Sequence, residues 1–94
     1  MPSLERHREE SRQRFGEEFA NVHRWLDELF SIYGPRHRRF RHHMAGVEVV
    51  RRRWGNAAAQ AARQHIVSDL REWGWQDADG LPIDQQDYVR IGLL

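Results

Sequence analysis

A helical repeat of apolar residues, present in three successive segments, constrains the fold more than any other feature of this sequence. The segments span residues 17–33, 35–54 and 57–73, and in each of them apolar side chains recur every three or four residues, which is the spacing of one face of an α-helix. Glycine follows each segment, as is common where helices end. No stretch alternates as a strand does. The sequence therefore predicts an all-α protein, a small helical bundle with a three-helix core.

The two ends of the chain add flanking elements to this bundle. Residues 1–16 are highly charged and have almost no apolar stripe. We therefore expect an exposed or frayed helix or arm there, or a helix that packs against a partner, with His7 in solvent. Residues 75–94 begin as a loop, and Asp84 followed three residues later by Asp87 is typical of a helix start. We therefore predict a short helix over 85–91 that caps the bundle. From its length we expect the 94-residue chain to form a single domain.

Composition excludes several classes of site. The chain has no cysteine, which rules out disulfides and thiolate metal ligands. It has no long apolar run and no signal-peptide pattern, so we expect a cytoplasmic protein without membrane contact. Ser31 and Ser68 lack a nucleophile-elbow motif. Covalent catalysis is therefore poorly supported, and we expect no organic cofactor.

Histidine and aspartate form a repeated pattern on the predicted helices. A histidine precedes an aspartate by four residues on the first segment and again on the third. Side chains at this spacing lie on one side of a helix, so each pair can supply two metal ligands, or one ligand and the carboxylate that orients it. The middle segment adds three histidines. The candidate metal ligands are His23, Asp27, His37, His42, His43, His65 and Asp69.

Imidazole and carboxylate ligands suit a divalent ion such as Zn, Mn, Fe or Ni, and bundle cores can hold such sites. In an unbroken middle helix His43 shares the apolar face, whereas His42 lies about 100° away. This favours His43 as the ligand, together with His23, His37 and His65, while the two aspartates ligate or orient them. The alternative is that each pair is hydrogen-bonded and holds no metal.

Arginine is concentrated in the middle segment. Seven of the fifteen arginines lie between residues 36 and 53, and the chain has no lysine. Because arginine forms forked hydrogen bonds with phosphates and carboxylates, Arg36, Arg38 and Arg41 are candidates to hold an anionic substrate or partner. The alternative is that codon bias in a GC-rich genome supplies these arginines and solvent surrounds them.

Several stretches of the chain resemble a known family. They are residues 23–27 (HRWLD), 36–38 (RHR), 41–46 (RHHMAG) and 65–70 (HIVSDL). Over residues 15–90 or so the chain resembles an uncharacterised bacterial and phage family of small proteins, the domain of unknown function numbered 6915. That family's terminal Ile-Pro-x-x-x-Asp-Trp/Tyr pattern is similar to residues 81–88 here. This chain departs from the family in two places. The family usually has a longer insertion where residues 55–56 make a tight turn here. It also passes quickly from its Asp-Leu pair to its Pro motif, whereas residues 71–80 intervene in this chain. The resemblance implies that these polar positions matter, without implying a reaction.

The sequence supports three functions. The first is a small metal-binding protein, with a metal-dependent hydrolase of an anionic substrate as its catalytic form. The second is an arginine-rich module that binds nucleic acid or an acidic protein. The third is a phage or bacterial accessory protein that acts through protein contacts, including a homodimer, and whose His/Asp network is structural.

Overall fold

Helices form in all three predicted segments and near both ends of the chain. The computed structural model describes residues 4–72, 74–76 and 80–90, and for residues 4, 35, 36, 39, 89 and 90 the backbone alone. Within these ranges there are helices and no strand, as predicted, and none of the helices is long and apolar enough to cross a bilayer. In chain order they are α1 (Leu4–Phe15), α2 (Ala20–Asp27), α3 (Phe30–Tyr33), α4 (Arg38–Arg41), α5 (Met44–Trp54), α6 (Asn56–Glu72) and α7 (Gln85–Arg90), with a 3₁₀ turn at Gly34–His37.

The apolar core lies between α2, α5 and α6, as the three-helix prediction requires. Each helix buries one face, and small side chains in α6 allow α5 to approach closely. Gly55, with a φ of 100°, joins α5 directly to α6. The buried apolar residues are Val22, Leu26, Val47, Val50, Ala58, Ala59, Ala61, Ala62, Ile66, Leu70, Trp75 and Tyr88.

The first and second predicted helices are both interrupted. α2 begins after Phe19, which has a left-handed φ of 51°, and it ends at Asp27. Between α4 and α5, His42 (φ −86°, ψ 61°) and His43 (φ −155°, ψ 174°) leave the helical conformation. The predictions of one helix over 17–33 and one over 35–54 were therefore wrong. In the second case, contacts from residues 82–88 override the local apolar periodicity.

The C-terminal segment stabilises the break between α4 and α5. The first two backbone N–H groups of α5 donate to the carbonyl oxygens of Pro82 and Ile83, each at 2.9 Å. The hydroxyl of Tyr88 donates to the carbonyl oxygen of His42. The first N–H groups of a helix have no partner within that helix, so this segment supplies bonds that a continuous helix would have made itself.

Gly46 is required by the same bend. Its N–H donates to His43 Nδ1 at 3.0 Å, and a Cβ atom at this position would lie only 2.0 Å from the carbonyl oxygen of Arg41. A side chain of any size would force the end of α4 away from the start of α5. Glycine therefore permits the close approach of the two helices.

α1 packs on α2 and α6 through polar side chains. His7 and Ser11, one turn apart, are both buried, so the expectation that His7 lies in solvent was wrong. Arg8 also pairs with Glu18 at 2.7 Å, and this hydrogen bond lowers the pKa of Glu18. α1 is thus joined to the bundle rather than extended as an arm.

α7 begins where it was predicted. Asp84 Oδ1 accepts the N–H groups of Gln86 and Asp87 at 3.0 and 3.3 Å. Asp87 Oδ2 accepts the N–H of Ile83 at 2.7 Å, which completes a reciprocal cap. Residue 91, the last of the predicted helix, lies outside the described residues. The cap directs α7 onto α4, where Tyr88 is buried.

Candidate metal centre

Two imidazoles and two carboxylates meet between α2, α6 and the break before α5. Asp27 is the last residue of α2, His42 lies in the break, and His65 and Asp69 are one turn apart on α6. One ligand atom from each of the four lies within 4.8 Å of the other three. The side chains of His42, His65 and Asp69 are fully buried, and that of Asp27 is 17% exposed. We call these four residues the inner cluster.

Four nitrogen–oxygen distances within the inner cluster lie between 2.9 and 3.4 Å, which suits hydrogen bonds as well as a metal coordination shell. His42 Nε2 lies 2.9 Å from Asp69 Oδ2 and 3.4 Å from Asp27 Oδ1. His65 Nε2 lies 3.3 Å from each of the same two oxygens. A tetrahedral site whose ligands are about 2.0 Å from the ion has edges of about 3.3 Å. The four ligand atoms, all within 4.8 Å of one another, are close enough together to hold a divalent ion.

His37 lies beside the inner cluster and faces Asp27. Its Nδ1 donates to the carbonyl oxygen of Gly34 at 2.7 Å, so in the neutral ring the lone pair is on Nε2. That Nε2 lies 2.9 Å from Asp27 Oδ1. The buried ring of His37 also packs edge-on against the ring of His42. His37 therefore contacts the carboxylate of Asp27 from the edge of the inner cluster.

Three more buried side chains lie on the other side of the two α6 residues, two in contact with them and the third in contact with one of those two. His7 Nε2 donates to Asp69 Oδ1 at 3.1 Å, and its ring stacks on the ring of His65 with centroids 3.6 Å apart. His23 Nδ1 lies 2.8 Å from His65 Nδ1, and Ser11 Oγ lies 2.7 Å from His23 Nε2. Burial lowers the pKa of His23 to about 3, so its ring is neutral and carries a single N–H. We call His7, Ser11 and His23 the outer layer.

Both carboxylates of the inner cluster stay ionised despite their burial. Burial alone would raise the pKa of Asp27, but hydrogen bonds from three histidines lower it well below its usual value. The same opposing effects, again with three histidine partners, lower the pKa of Asp69. The buried guanidinium of Arg38 lies 3.6 Å from Asp69 Oδ2. The site therefore combines two negative charges with one fixed positive charge and several neutral or titratable imidazoles.

The structure brings four of the seven predicted ligands into the inner cluster. His37 lies at its edge against Asp27, and His43 has a separate role. Its side chain caps the start of α5 by accepting the N–H of Gly46. The preference for His43 over His42 assumed an unbroken helix, and the observed break reverses it. His23, predicted to be a ligand, instead contacts His65 through Nδ1.

The arginines predicted to hold an anion do not form an exposed site in the part of the chain that the structure describes. Arg38 is buried in the interior beside Asp69, where no external partner can reach it. Arg41 packs over the ring of Trp25 and donates to the carbonyl oxygen of that residue at 2.6 Å. The side chain of Arg36 lies outside the described residues.

Sequence reasoning missed His7 and Ser11. Their four-residue spacing was the available signal, but α1 has no apolar stripe to indicate which face is buried. Asp69, which binds His7, lies 62 positions further along the chain. Such a long-range contact leaves no trace in local periodicity.

A groove between α1 and α6 lies apart from the inner cluster. Its volume is about 630 Å³ and its lining is polar, including Arg6, Glu10, Arg63 and Ser68. No inner-cluster residue lines it. Solvent therefore does not reach the ligand atoms through this groove, and the partly exposed side chain of Asp27 is the nearest point of the cluster to bulk water.

Comparison with known proteins returned one family. A family model described as Domain of unknown function (DUF6915) matches residues 3–90. The match begins before α1 and so includes the outer layer as well as the inner cluster. No curated protein and no solved structure matches the chain.

Proposed function

The chain belongs to the DUF6915 family of domains of unknown function, and from its inner cluster we propose that it binds one divalent metal ion. The observation that carries this proposal is the convergence of four ligand atoms, two imidazole nitrogens and two carboxylate oxygens, within 4.8 Å of one another. Such atoms ligate zinc in proteins. Ligands from separate parts of the chain would then be joined by the ion, which adds binding energy to folding.

The charges in the site can accept a cation. Asp69 and Arg38 are fully buried and Asp27 is 17% exposed, so the two carboxylates and the guanidinium together leave one negative charge without a partner charge. Uncompensated charge is costly to bury, and a bound cation would supply the missing positive charge. The competing explanation is that protonated imidazoles supply the positive charge and that the network only stabilises the fold.

The ligand chemistry restricts the choice of ion. All donors are imidazole nitrogens or carboxylate oxygens, which suit Zn, Mn, Fe or Ni rather than soft ions. Zn²⁺ commonly takes four ligands of these types.

Metal titration of the purified protein tests this proposal. After dialysis against a chelator, we expect one Zn²⁺ per chain in isothermal titration calorimetry, and little or no binding by the His65→Ala variant. Circular dichroism serves as a control that both proteins are helical. A folded wild-type protein that binds none of Zn²⁺, Mn²⁺, Fe²⁺ and Ni²⁺ would show that the network is structural.

A catalytic form of this proposal is a metal-dependent hydrolase of an anionic substrate. It requires a coordination position open to water or substrate, and the partial exposure of Asp27 favours that side of the site. The test is hydrolysis of bis(p-nitrophenyl) phosphate by the zinc- or manganese-loaded protein, with Asp27→Asn as the control. If turnover is no faster than with the free metal ion, the hydrolase proposal is rejected, whereas the metal-binding proposal is unaffected.

A further inference from the structure

The outer layer connects α1 to the proposed metal ligands through hydrogen bonds. A bound ion would determine which partner donates in these bonds. His65 Nε2 faces the two carboxylate oxygens of the inner cluster. A metal ion there takes the lone pair on Nε2, so the ring proton must be on Nδ1. That Nδ1 lies 2.8 Å from His23 Nδ1. In the metal-bound protein His65 must therefore donate to His23.

The next bond follows from the first. An imidazole that accepts a hydrogen bond at Nδ1 carries its proton on Nε2. Ser11 Oγ lies 2.7 Å from this nitrogen and must accept the hydrogen bond. Metal at His65 thus determines the tautomer of His23 and the role of a serine on α1.

His7 makes an equivalent contact with the other α6 ligand. Its Nε2 donates to Asp69 Oδ1, which leaves Asp69 Oδ2 directed at His42 and His65. The His7 ring lies nearly parallel to the ring of His65, at an angle of 14°. One side chain of α1 therefore fixes the carboxylate of Asp69 and covers the imidazole of His65.

α1 has little apolar surface with which to dock independently. Among its described side chains, those that are buried are His7 and Ser11, and Phe15 is half-buried. A helix in a small protein is normally held by its apolar face. Here the buried contacts of α1 are polar and lead to the proposed ligands. How firmly the ligand side chains are held and whether α1 docks therefore depend on each other.

We infer that His7, Ser11 and His23 are positioning residues for the ion, and that metal binding and the docking of α1 are coupled. This inference rests on metal binding at the inner cluster. Partners of this kind orient metal ligands, and their loss commonly weakens metal affinity by about 10- to 100-fold. Coupling is reciprocal, so the ion should also protect α1 from solvent.

The experiment compares zinc affinity and amide hydrogen exchange in the full chain. His7→Leu removes the donor to Asp69, His7→Gln keeps an N–H donor, and Ser11→Ala removes the acceptor for His23. Gln13→Ala, at an exposed position of α1, is the matched control. Affinity is measured by competition with a chromophoric chelator, and circular dichroism checks that each variant is helical.

We expect His7→Leu and Ser11→Ala to bind Zn²⁺ about 10- to 100-fold more weakly than the wild type, His7→Gln to recover most of the loss, and Gln13→Ala to be unchanged. Zinc should slow amide exchange in residues 5–14 of the wild type, and ¹⁵N NMR should show His23 protonated at Nε2. If His7→Leu and Ser11→Ala both bind Zn²⁺ as tightly as the wild type, or if zinc does not change amide exchange in α1, this inference is overturned. The proposed metal binding is not affected by that result. A wild type that binds no zinc would overturn the proposed function as well.

Discussion

His42 and His43 are adjacent in sequence but have separate roles, because two consecutive residues leave the helical conformation. With ψ angles of 61° and 174°, their side chains are directed to different parts of the molecule. One imidazole contacts Asp27 and Asp69, and the other caps α5. A difference of one position thus separates a proposed metal ligand from a structural residue.

Alanine substitution of these two residues should separate metal affinity from stability. His42→Ala should weaken zinc binding by more than about 100-fold, which exceeds the usual effect of losing an outer partner. His43→Ala removes a helix cap, so we expect a loss of about 1 kcal/mol in the free energy of unfolding with little change in zinc affinity. Urea denaturation and competition titration measure the two quantities. Loss of zinc binding in His43→Ala but not in His42→Ala would contradict this assignment.

Gly46 should not tolerate a side chain, although replacing glycine by alanine in a helix normally stabilises it by about 1 kcal/mol. A Cβ atom would meet the carbonyl oxygen of Arg41 at 2.0 Å, and backbone atoms cannot move aside as a flexible side chain can. We expect Gly46→Ala to lower the free energy of unfolding by about 1–3 kcal/mol, the usual range for overpacking. A urea midpoint equal to or above that of the wild type would show that α4 and α5 do not approach closely.

At the scale of the helices, the sequence predicted which parts of the chain are helical better than it predicted where each helix begins and ends. The apolar spacing of Ile66 and Leu70 and the glycine at 74 were sufficient for α6, and the four-residue spacing placed His65 beside Asp69. The break before α5 could not be predicted, because its N–H groups bind the carbonyl oxygens of Pro82 and Ile83. Local patterns contain no information about a partner nearly forty residues away.

Tyr88 tests whether the C-terminal segment positions the break. Its hydroxyl donates to the carbonyl oxygen of His42, and burial raises the phenol pKa above its usual value, so the group remains a donor. Tyr88→Phe keeps the ring but leaves a buried carbonyl without this partner. We expect a loss of about 1–3 kcal/mol in the free energy of unfolding, accompanied by weaker zinc binding because the backbone of a proposed ligand is less fixed.

Tyr33→Phe is the matched control, because the Tyr33 side chain is exposed. It should change neither the urea midpoint nor the zinc affinity. If Tyr88→Phe is equally neutral in both measurements, the C-terminal segment does not position His42.

At the scale of the whole molecule, the proposed site depends on elements that are far apart in sequence. The inner cluster and outer layer take side chains from α1, α2, α6 and the break before α5, and the site forms only when these elements pack together. Periodicity could predict that each helix has a buried face. It could not predict which polar residues on those faces meet, and this is why His7 was misplaced.

An ion that joins these elements should stabilise the folded protein as a whole. A ligand that binds only the folded state, at about 100 times its dissociation constant, adds about 2.7 kcal/mol to the free energy of unfolding. For a domain of this size that corresponds to a rise in Tm of roughly 10–20 °C. Differential scanning calorimetry with Zn²⁺, and after addition of a chelator, should show this rise and its reversal. Asp69→Asn keeps the size of the side chain but removes a charged ligand, so zinc should scarcely change its Tm. An equal rise in Asp69→Asn would mean that the ion binds elsewhere, because no ion held by the inner cluster could be indifferent to the loss of that carboxylate.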